Sequence, residues 1–119
     1  GLSEIAVFDR LRAAGLAPEM YPGEDRADVG LGRRQVGIDV KDYASPVTLA
    51  RALSRGDLGL AAFRERYLAV PDARVGANPD YLATLRDHYR GSDRELVMDS
   101  VSGVVERVVR DHGPRGGDA

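Results

Sequence analysis

The sequence predicts a mixed α/β domain, an α+β arrangement with the element order αβββαβ followed by a further helix, strand and helix. Three short apolar segments between residues 17 and 43 are separated by turns rich in glycine and charge, which is typical of an antiparallel meander. Segments with helical spacing of apolar residues precede and follow them. The 119 residues are 43% hydrophobic and 30% charged, the composition of an ordinary globular domain. We expect residues 1–112 to form one domain and residues 113–119 to be a frayed tail.

The first element is a helix over residues 3–14, with Ser3 as its N-cap and a glycine stop after it. Phe8 and Leu11 lie on its apolar stripe. Glu4 precedes them by four and seven residues, so its carboxylate projects from the same inward face. An acid in the first turn also complements the helix dipole, and that is its usual explanation.

The three strands of the meander cover residues 17–22, 27–32 and 34–43. Because strand side chains alternate between the two faces of a sheet, the apolar side chains of the third strand face the core: Val36, Ile38 and Val40. The opposite face carries the remaining side chains of this strand: Gln35, Gly37, Asp39, Lys41 and Tyr43. We expect Gly37 to leave open space there, as the close approach of a substrate backbone would require.

The later elements follow from caps and periodicity. Ser45 and Pro46 open a helix over residues 45–56, as an N-cap and a first-turn proline do. Residues 57–66 are ambiguous, with a short helix at about 61–65 as one interpretation. The remaining segments are a strand at 66–72, a helix at 79–90, a strand at 95–101 and a valine-rich amphipathic helix from 101 onward.

Lys41 is the only lysine in a chain whose other 16 cationic side chains are arginine. Arginine stays charged and is bulky, whereas lysine is a compact ammonium whose protonation state can change. Chance explains a single lysine as well. The functional alternative is that this position requires an amine.

Asp28 on the second strand is the acid that the meander brings nearest to Asp39. A turn at Arg33 and Arg34 places Asp28 directly opposite Asp39, whereas a turn one residue earlier makes the two acids diagonal neighbours. Like charges opposite each other destabilise a sheet, and a divalent cation between them reverses that effect. The alternative is a sheet with one solvated face, on which Asp39 and Lys41 are ordinary surface charges.

Two carboxylates beside a lysine suggest hydrolysis of a phosphodiester bond. A metal ion would polarise the scissile phosphate and lower the pKa of a bound water. The lysine would position or deprotonate that water, or stabilise the charge that develops on phosphorus.

Glu4 in the first helix, Asp28 on the second strand and the segment Asp39-Val40-Lys41 on the third resemble the PD-(D/E)xK nuclease superfamily, which has the restriction-endonuclease-like fold. The resemblance implies an αβββαβ core with the later elements added. It implies that Asp28, Asp39, the Val40 carbonyl and Glu4 bind Mg²⁺, with Mn²⁺ as a substitute, and that Lys41 is the catalytic lysine. Asp28 follows an alanine rather than the proline of the motif. Residues 21–46 also resemble the restriction-endonuclease-like domains found beside prokaryotic Piwi-like modules.

Nucleic acid, DNA rather than RNA, is the partner that this chemistry implies. Candidate phosphate contacts are Arg33, Arg34, Arg51 and Arg55, and Tyr43 is a candidate for stacking on a base. A solvated charged face explains these arginines equally well, and packing at a strand end explains Tyr43.

Composition sets the remaining limits. The net charge of −2 argues against a strong stand-alone nucleic-acid binder. The chain has no cysteine, which excludes disulfides and thiolate metal sites and leaves the redox compartment open. It has no apolar run of membrane-spanning length and no signal-peptide pattern, so a cytoplasmic location is expected. A first residue other than Met is compatible with a domain cut from a longer protein, working as a homodimer or with fused or partner domains. The alternative to an active nuclease is a nuclease-like domain, weak or inactive, that serves as a binding module.

Overall fold

The computed structural model describes residues 2–21, 27–56 and 58–114. The helices in this part of the chain are α1 Leu2–Ala13, α2 Pro46–Arg55, α3 Asp72–Ala77, α4 Tyr81–His88 and α5 Val101–His112. The strands are β1 Pro18–Met20, β2 Val29–Leu31, β3 Val36–Val40, β4 Glu65–Val70 and β5 Val97–Ser100. The end of the first predicted strand at residue 22 and most of the predicted tail lie outside the described residues.

The five strands form one mixed sheet in the order β1-β2-β3-β4-β5. Strands β1, β2 and β3 are antiparallel neighbours, and β4 and β5 add parallel to β3. The predicted meander and the predicted α/β class are therefore confirmed. Parallel neighbours require crossover connections, and helix α2 supplies the one between β3 and β4.

Helices cover both faces of the sheet. On one face, α1 and α5 pack against the apolar side chains of β2 and β3, in a core cluster that includes Val7, Leu11, Val29, Ile38 and Val105. On the other face, α2 and α4 pack against β4 and β5, in a cluster that includes Leu49, Leu53, Leu68, Tyr81 and Leu85. All five residues of β3 are buried, so the alternative of a solvated face on this strand is wrong.

Most predicted helices form close to their expected bounds, because their caps act as the sequence suggests. The Ser45 hydroxyl accepts a hydrogen bond from the Thr48 N–H at 3.2 Å at the start of α2. Three expectations about helices were wrong. Ser3 lies inside α1, which already begins at Leu2, and so it is not the N-cap. Residues 61–64 form turns rather than a helix, with Phe63 buried, and the chain before residue 81 contains the separate helix α3.

Gly37 does not leave open space, and that expectation was wrong. An ideal Cβ at Gly37 would lie 2.6 Å from the Phe63 ring and 3.1 Å from Leu60 Cδ2. Gly30, its partner on β2, is likewise covered by the ring of Tyr21. The two rings are 6.1 Å apart and tilted. The glycines therefore allow aromatic rings, and not solvent, to lie against the sheet.

We predict that Gly37→Ala destabilises the protein by about 1–3 kcal/mol, because the new methyl group overpacks against the Phe63 ring. Urea unfolding measures the loss. Gly76→Ala is the matched control, since a Cβ there meets nothing within 4 Å and alanine favours a helix. In a Phe63→Leu background the cost of Gly37→Ala should shrink. An equal cost in both backgrounds would show that the ring is not the cause.

Candidate active site

The pairing of β2 with β3 brings Asp28 and Asp39 together. The register joins Val29 with Ile38 and Gly30 with Gly37, so the next pair along the two strands is Asp28 and Asp39. This is the register that a turn at Arg33 and Arg34 predicts.

The backbone of Asp28 is held by the residue that follows β1, because its carbonyl accepts a hydrogen bond from the Tyr21 N–H at 3.0 Å. Its side chain is held by β3, because Oδ2 accepts a hydrogen bond from the Val40 N–H at 2.7 Å. A carboxylate thus takes the place of a backbone acceptor where the β2–β3 pairing ends. Both strands therefore fix the position of this acid.

Asp39 is the only buried charged or polar residue in the described part of the chain, with 3% of its surface exposed. Its neighbour on β4 is Leu68, a core residue of the α2–α4 face. Alternation along β3 places Asp39 on that face together with Gly37. The alternative in which Asp39 is an ordinary surface charge is therefore wrong.

Lys41 provides a cation beside Asp39. Its Nζ lies 3.7 Å from Asp39 Oδ2, and its side chain is 39% exposed. Its backbone N–H donates to the Ala69 carbonyl at 3.1 Å, which continues the pairing with β4 beyond the end of β3. The Lys41 side chain therefore extends from the buried Asp39 carboxylate to the protein surface. The pairing with β4 fixes the position of its backbone.

The pKa of Asp39 is raised to about 8, mainly by burial and also by a hydrogen bond with the Asp28 carboxyl, while the Lys41 ammonium opposes the shift. A hydrogen bond between two carboxyl groups requires a proton on one of them, because ionised carboxylates only accept. Without a metal ion, Asp39 therefore keeps a proton at neutral pH, where an ordinary aspartate is ionised.

The oxygen atoms at this position suit a hard divalent cation. Val40 directs its N–H and its carbonyl to the same side of β3, so the carbonyl points to the side occupied by the Asp28 carboxylate. Two carboxylates and a carbonyl are oxygen ligands of the kind that Mg²⁺ and Mn²⁺ prefer, and Mg²⁺ usually completes its shell with waters and substrate phosphate. A cation bound between the two acids would take the place of the proton on Asp39.

Glu4 approaches the sheet from the other face. Helix α1 packs through Val7 and Leu11 against the cluster that contains Val40, opposite the face of Asp39. One oxygen of the Glu4 carboxylate, Oε2, is buried. Within residues 2–21, 27–56 and 58–114, no three His, Asp or Glu side chains form a group that could hold a metal ion. Glu4 is thus not brought into such a group with Asp28 and Asp39, and its role stays a prediction.

The candidate nucleic-acid contacts lie away from the two acids. Arg33 and Arg34 are exposed at the β2–β3 turn, at the opposite end of β3 from Asp39. Arg51 and Arg55 are exposed on α2, which runs away from the end of β3. Tyr43 is half-buried against the α2–α4 cluster, and its carbonyl accepts a hydrogen bond from the Tyr81 hydroxyl at 2.6 Å. Tyr43 therefore packs against the core, as the alternative explanation held.

Two residues that support the site were not singled out from the sequence. Arg74 donates to the Asp42 carboxylate at 2.7 Å and so holds the residue after Lys41. Tyr21 binds the Asp28 backbone and covers Gly30. A tyrosine close before the second strand was the only signal for Tyr21, and nothing in the sequence connects Arg74 with Asp42.

We predict that the metal-free protein loses stability as the pH rises from about 4 to about 8. The folded state keeps a proton on Asp39 in this window and the unfolded state does not, so the free energy of unfolding falls with increasing pH. Asp39→Asn, a neutral isostere, should therefore gain stability relative to the parent across the window. Urea unfolding in EDTA at several pH values measures the difference. The control is Asp87→Asn, whose parent side chain is 84% exposed, and parallel profiles for the two variants would contradict the prediction.

Comparison with known proteins identifies the family. A family model described as "REase associating with pPIWI_RE" matches residues 1–115. No curated protein and no solved structure matches the chain. No helix in the described ranges is long and apolar enough to cross a membrane. The mixed five-stranded sheet with helices on both faces is compatible with a restriction-endonuclease-like fold. The chain therefore belongs to the REases associating with pPIWI_RE, a family of restriction-endonuclease-like domains linked to prokaryotic Piwi modules.

Proposed function

We propose that this protein is a Mg²⁺-dependent nuclease that hydrolyses phosphodiester bonds in DNA. The observation that carries the proposal is the pair of Asp28 and Asp39 carboxyl groups, held opposite each other at the end of β3 with the only lysine of the chain beside them. Membership of a restriction-endonuclease-like family supports the same chemistry.

Three groups of the chain would hold the ion: the carboxylates of Asp28 and Asp39 and the carbonyl of Val40. The ion supplies Lewis acidity, which polarises a phosphate oxygen and lowers the pKa of a bound water. The hydrogen bond from the Val40 N–H to Asp28 Oδ2 would hold this carboxylate in place beside the ion.

Lys41 is the catalytic residue in this proposal. Its ammonium donates hydrogen bonds to a nonbridging phosphate oxygen and to the attacking water, and so stabilises the charge that develops on phosphorus. Asp39, 3.7 Å from Nζ, keeps the amine at the site. Because Lys41 is partly exposed, a phosphate group can reach its amine, whereas the Asp39 side chain is almost completely buried.

The weak negative charge of the chain is consistent with a partner domain that supplies affinity for nucleic acid. The family description names pPIWI_RE as the associate of its members, and the net charge of this chain is −2. We propose that the associated module supplies most of the affinity for nucleic acid, while this domain supplies the hydrolytic site.

A second candidate function is a nuclease-like binding module without activity of its own. The near-complete burial of Asp39 favours it, because a metal ion and a phosphate must both reach that carboxylate. Incubation with duplex, single-stranded and branched DNA in Mg²⁺, Mn²⁺ or EDTA separates the two candidates. Cleavage that EDTA abolishes supports the nuclease, and binding without cleavage supports the module.

We predict that Mn²⁺ stabilises the parent protein and not Asp39→Asn. Binding to the folded state alone adds about 2.7 kcal/mol when the ion is at a hundred times its dissociation constant. Thermal melts titrated with Mn²⁺ measure the shift. Asp87→Asn is the matched control, because the Asp87 side chain is 84% exposed on α4. Equal shifts of the melting temperature in the parent and in Asp39→Asn would show that the ion does not bind at Asp39.

We predict that Lys41→Arg lowers cleavage by at least about 10²-fold, although the positive charge is kept. A planar guanidinium cannot occupy the place of a compact ammonium beside the attacking water. Stability should change by less than about 0.5 kcal/mol, because the side chain is partly exposed. Arg94→Lys, an exposed exchange in the opposite direction, should leave both properties unchanged. Cleavage by Lys41→Arg at the parental rate would refute the catalytic role.

A further inference from the structure

Three arginines form a cationic group at the β2–β3 turn: Arg33, Arg34 and Arg64. All three are exposed. The Arg64 N–H donates to the Arg34 carbonyl at 3.0 Å, so the chain before β4 is tied to the turn. Within the described residues, none of the three guanidinium groups takes part in an ion pair or a hydrogen bond with the protein. Other arginines, such as Arg66 with Asp93, are neutralised by an acid.

Arg34 occupies a backbone conformation that arginine does not favour. Its φ is 60°, and it is the only non-glycine residue with positive φ in the described part of the chain. The left-handed region is unfavourable for an L-residue with a side chain such as arginine and suits glycine or asparagine. The presence of arginine at this turn therefore has no conformational explanation.

The cationic group and the proposed metal site lie at opposite ends of β3. Arg34 precedes Asp39 by five residues, which corresponds to roughly 17 Å along a strand. The paired residues between them on β2 and β3 are uncharged. On the face of Asp39, the Tyr21 and Phe63 rings cover Gly30 and Gly37 midway along this path. No acid of these two strands interrupts the path.

We propose that the arginines of the turn bind the phosphate backbone of the DNA whose scissile bond lies at the metal site. The two places are roughly 17 Å apart along the strand direction of the sheet, so the turn binds phosphates a few nucleotides to one side of the scissile bond. This inference rests on the proposed nuclease function and specifies a second contact that the site makes with its substrate.

Binding without cleavage provides the first test. Fluorescence anisotropy in EDTA measures the affinity of the full chain for a 20-base-pair duplex, a length of about twenty pairs being ample for this span. Changing Arg33, Arg34 and Arg64 to Ala should weaken binding by about tenfold or more and lower the salt slope by about 2.7, because three phosphate contacts are lost. The control changes Arg90, Arg94 and Arg110 to Ala, three exposed arginines elsewhere, with the same loss of charge. Equal losses in both triple variants would overturn the inference.

Arg34→Gly separates binding from folding. Glycine adopts positive φ without strain, so the melting temperature should be unchanged or higher. The affinity for the duplex should nevertheless fall, by less than in the triple variant. A variant that is more stable and binds as tightly as the parent would exclude Arg34 from the contact.

Cleavage mapping tests the span. On an end-labelled duplex, the parent should not cut within a few nucleotides of the end that the turn must reach, and the triple variant should lose this exclusion. Normal cleavage with unchanged binding in the triple variant refutes the inference and leaves the nuclease intact. Absence of cleavage with the expected binding losses refutes the nuclease and keeps the turn as a DNA contact.

Discussion

The pairing register between β2 and β3 is the constraint on which the site depends. A slip of one residue would turn Asp28 toward the face covered by α1 and would separate it from Asp39. The same register places Gly30 beside Gly37, where two aromatic rings lie against the sheet, and it brings the Asp28 carboxylate to the Val40 N–H. The register of two short strands therefore determines the positions of the two acids, of the Val40 N–H and of the two aromatic rings.

The local parts of this arrangement could be predicted because they depend on neighbouring residues. Alternation along β3 separates Val36, Ile38 and Val40 from Asp39, and a turn at residues 33 and 34 leads to the observed register. The N-cap of α2 likewise follows from Ser45 and Pro46. These features need only period two, turn chemistry and hydrogen bonds within a few residues.

The rest depends on contacts between distant segments. The burial of Asp39 results from packing against β4 and its helices, which join β3 through a crossover. The position of Phe63 over Gly37 and the bond from Arg64 to Arg34 come from the same connection, and no local pattern indicates them. The sequence placed Glu4 on an inward face, but it did not indicate which face of the sheet that helix would cover. The periodicity of apolar residues does not indicate which strands pair through a crossover connection.

The two helices on the α1–α5 face come from opposite ends of the described chain. Val7 and Leu11 of α1 share their core cluster with Val101, Val104, Val105 and Val108 of α5. During synthesis the apolar stripe of α1 therefore leaves the ribosome long before the helix that covers it. The meander can pair early because its contacts are local, yet one side of its sheet stays partly exposed until β5 and α5 follow. Helix α5 therefore completes the core that α1 begins. A nascent chain that stalls before α5 exposes this apolar surface, to which chaperones bind and through which chains aggregate.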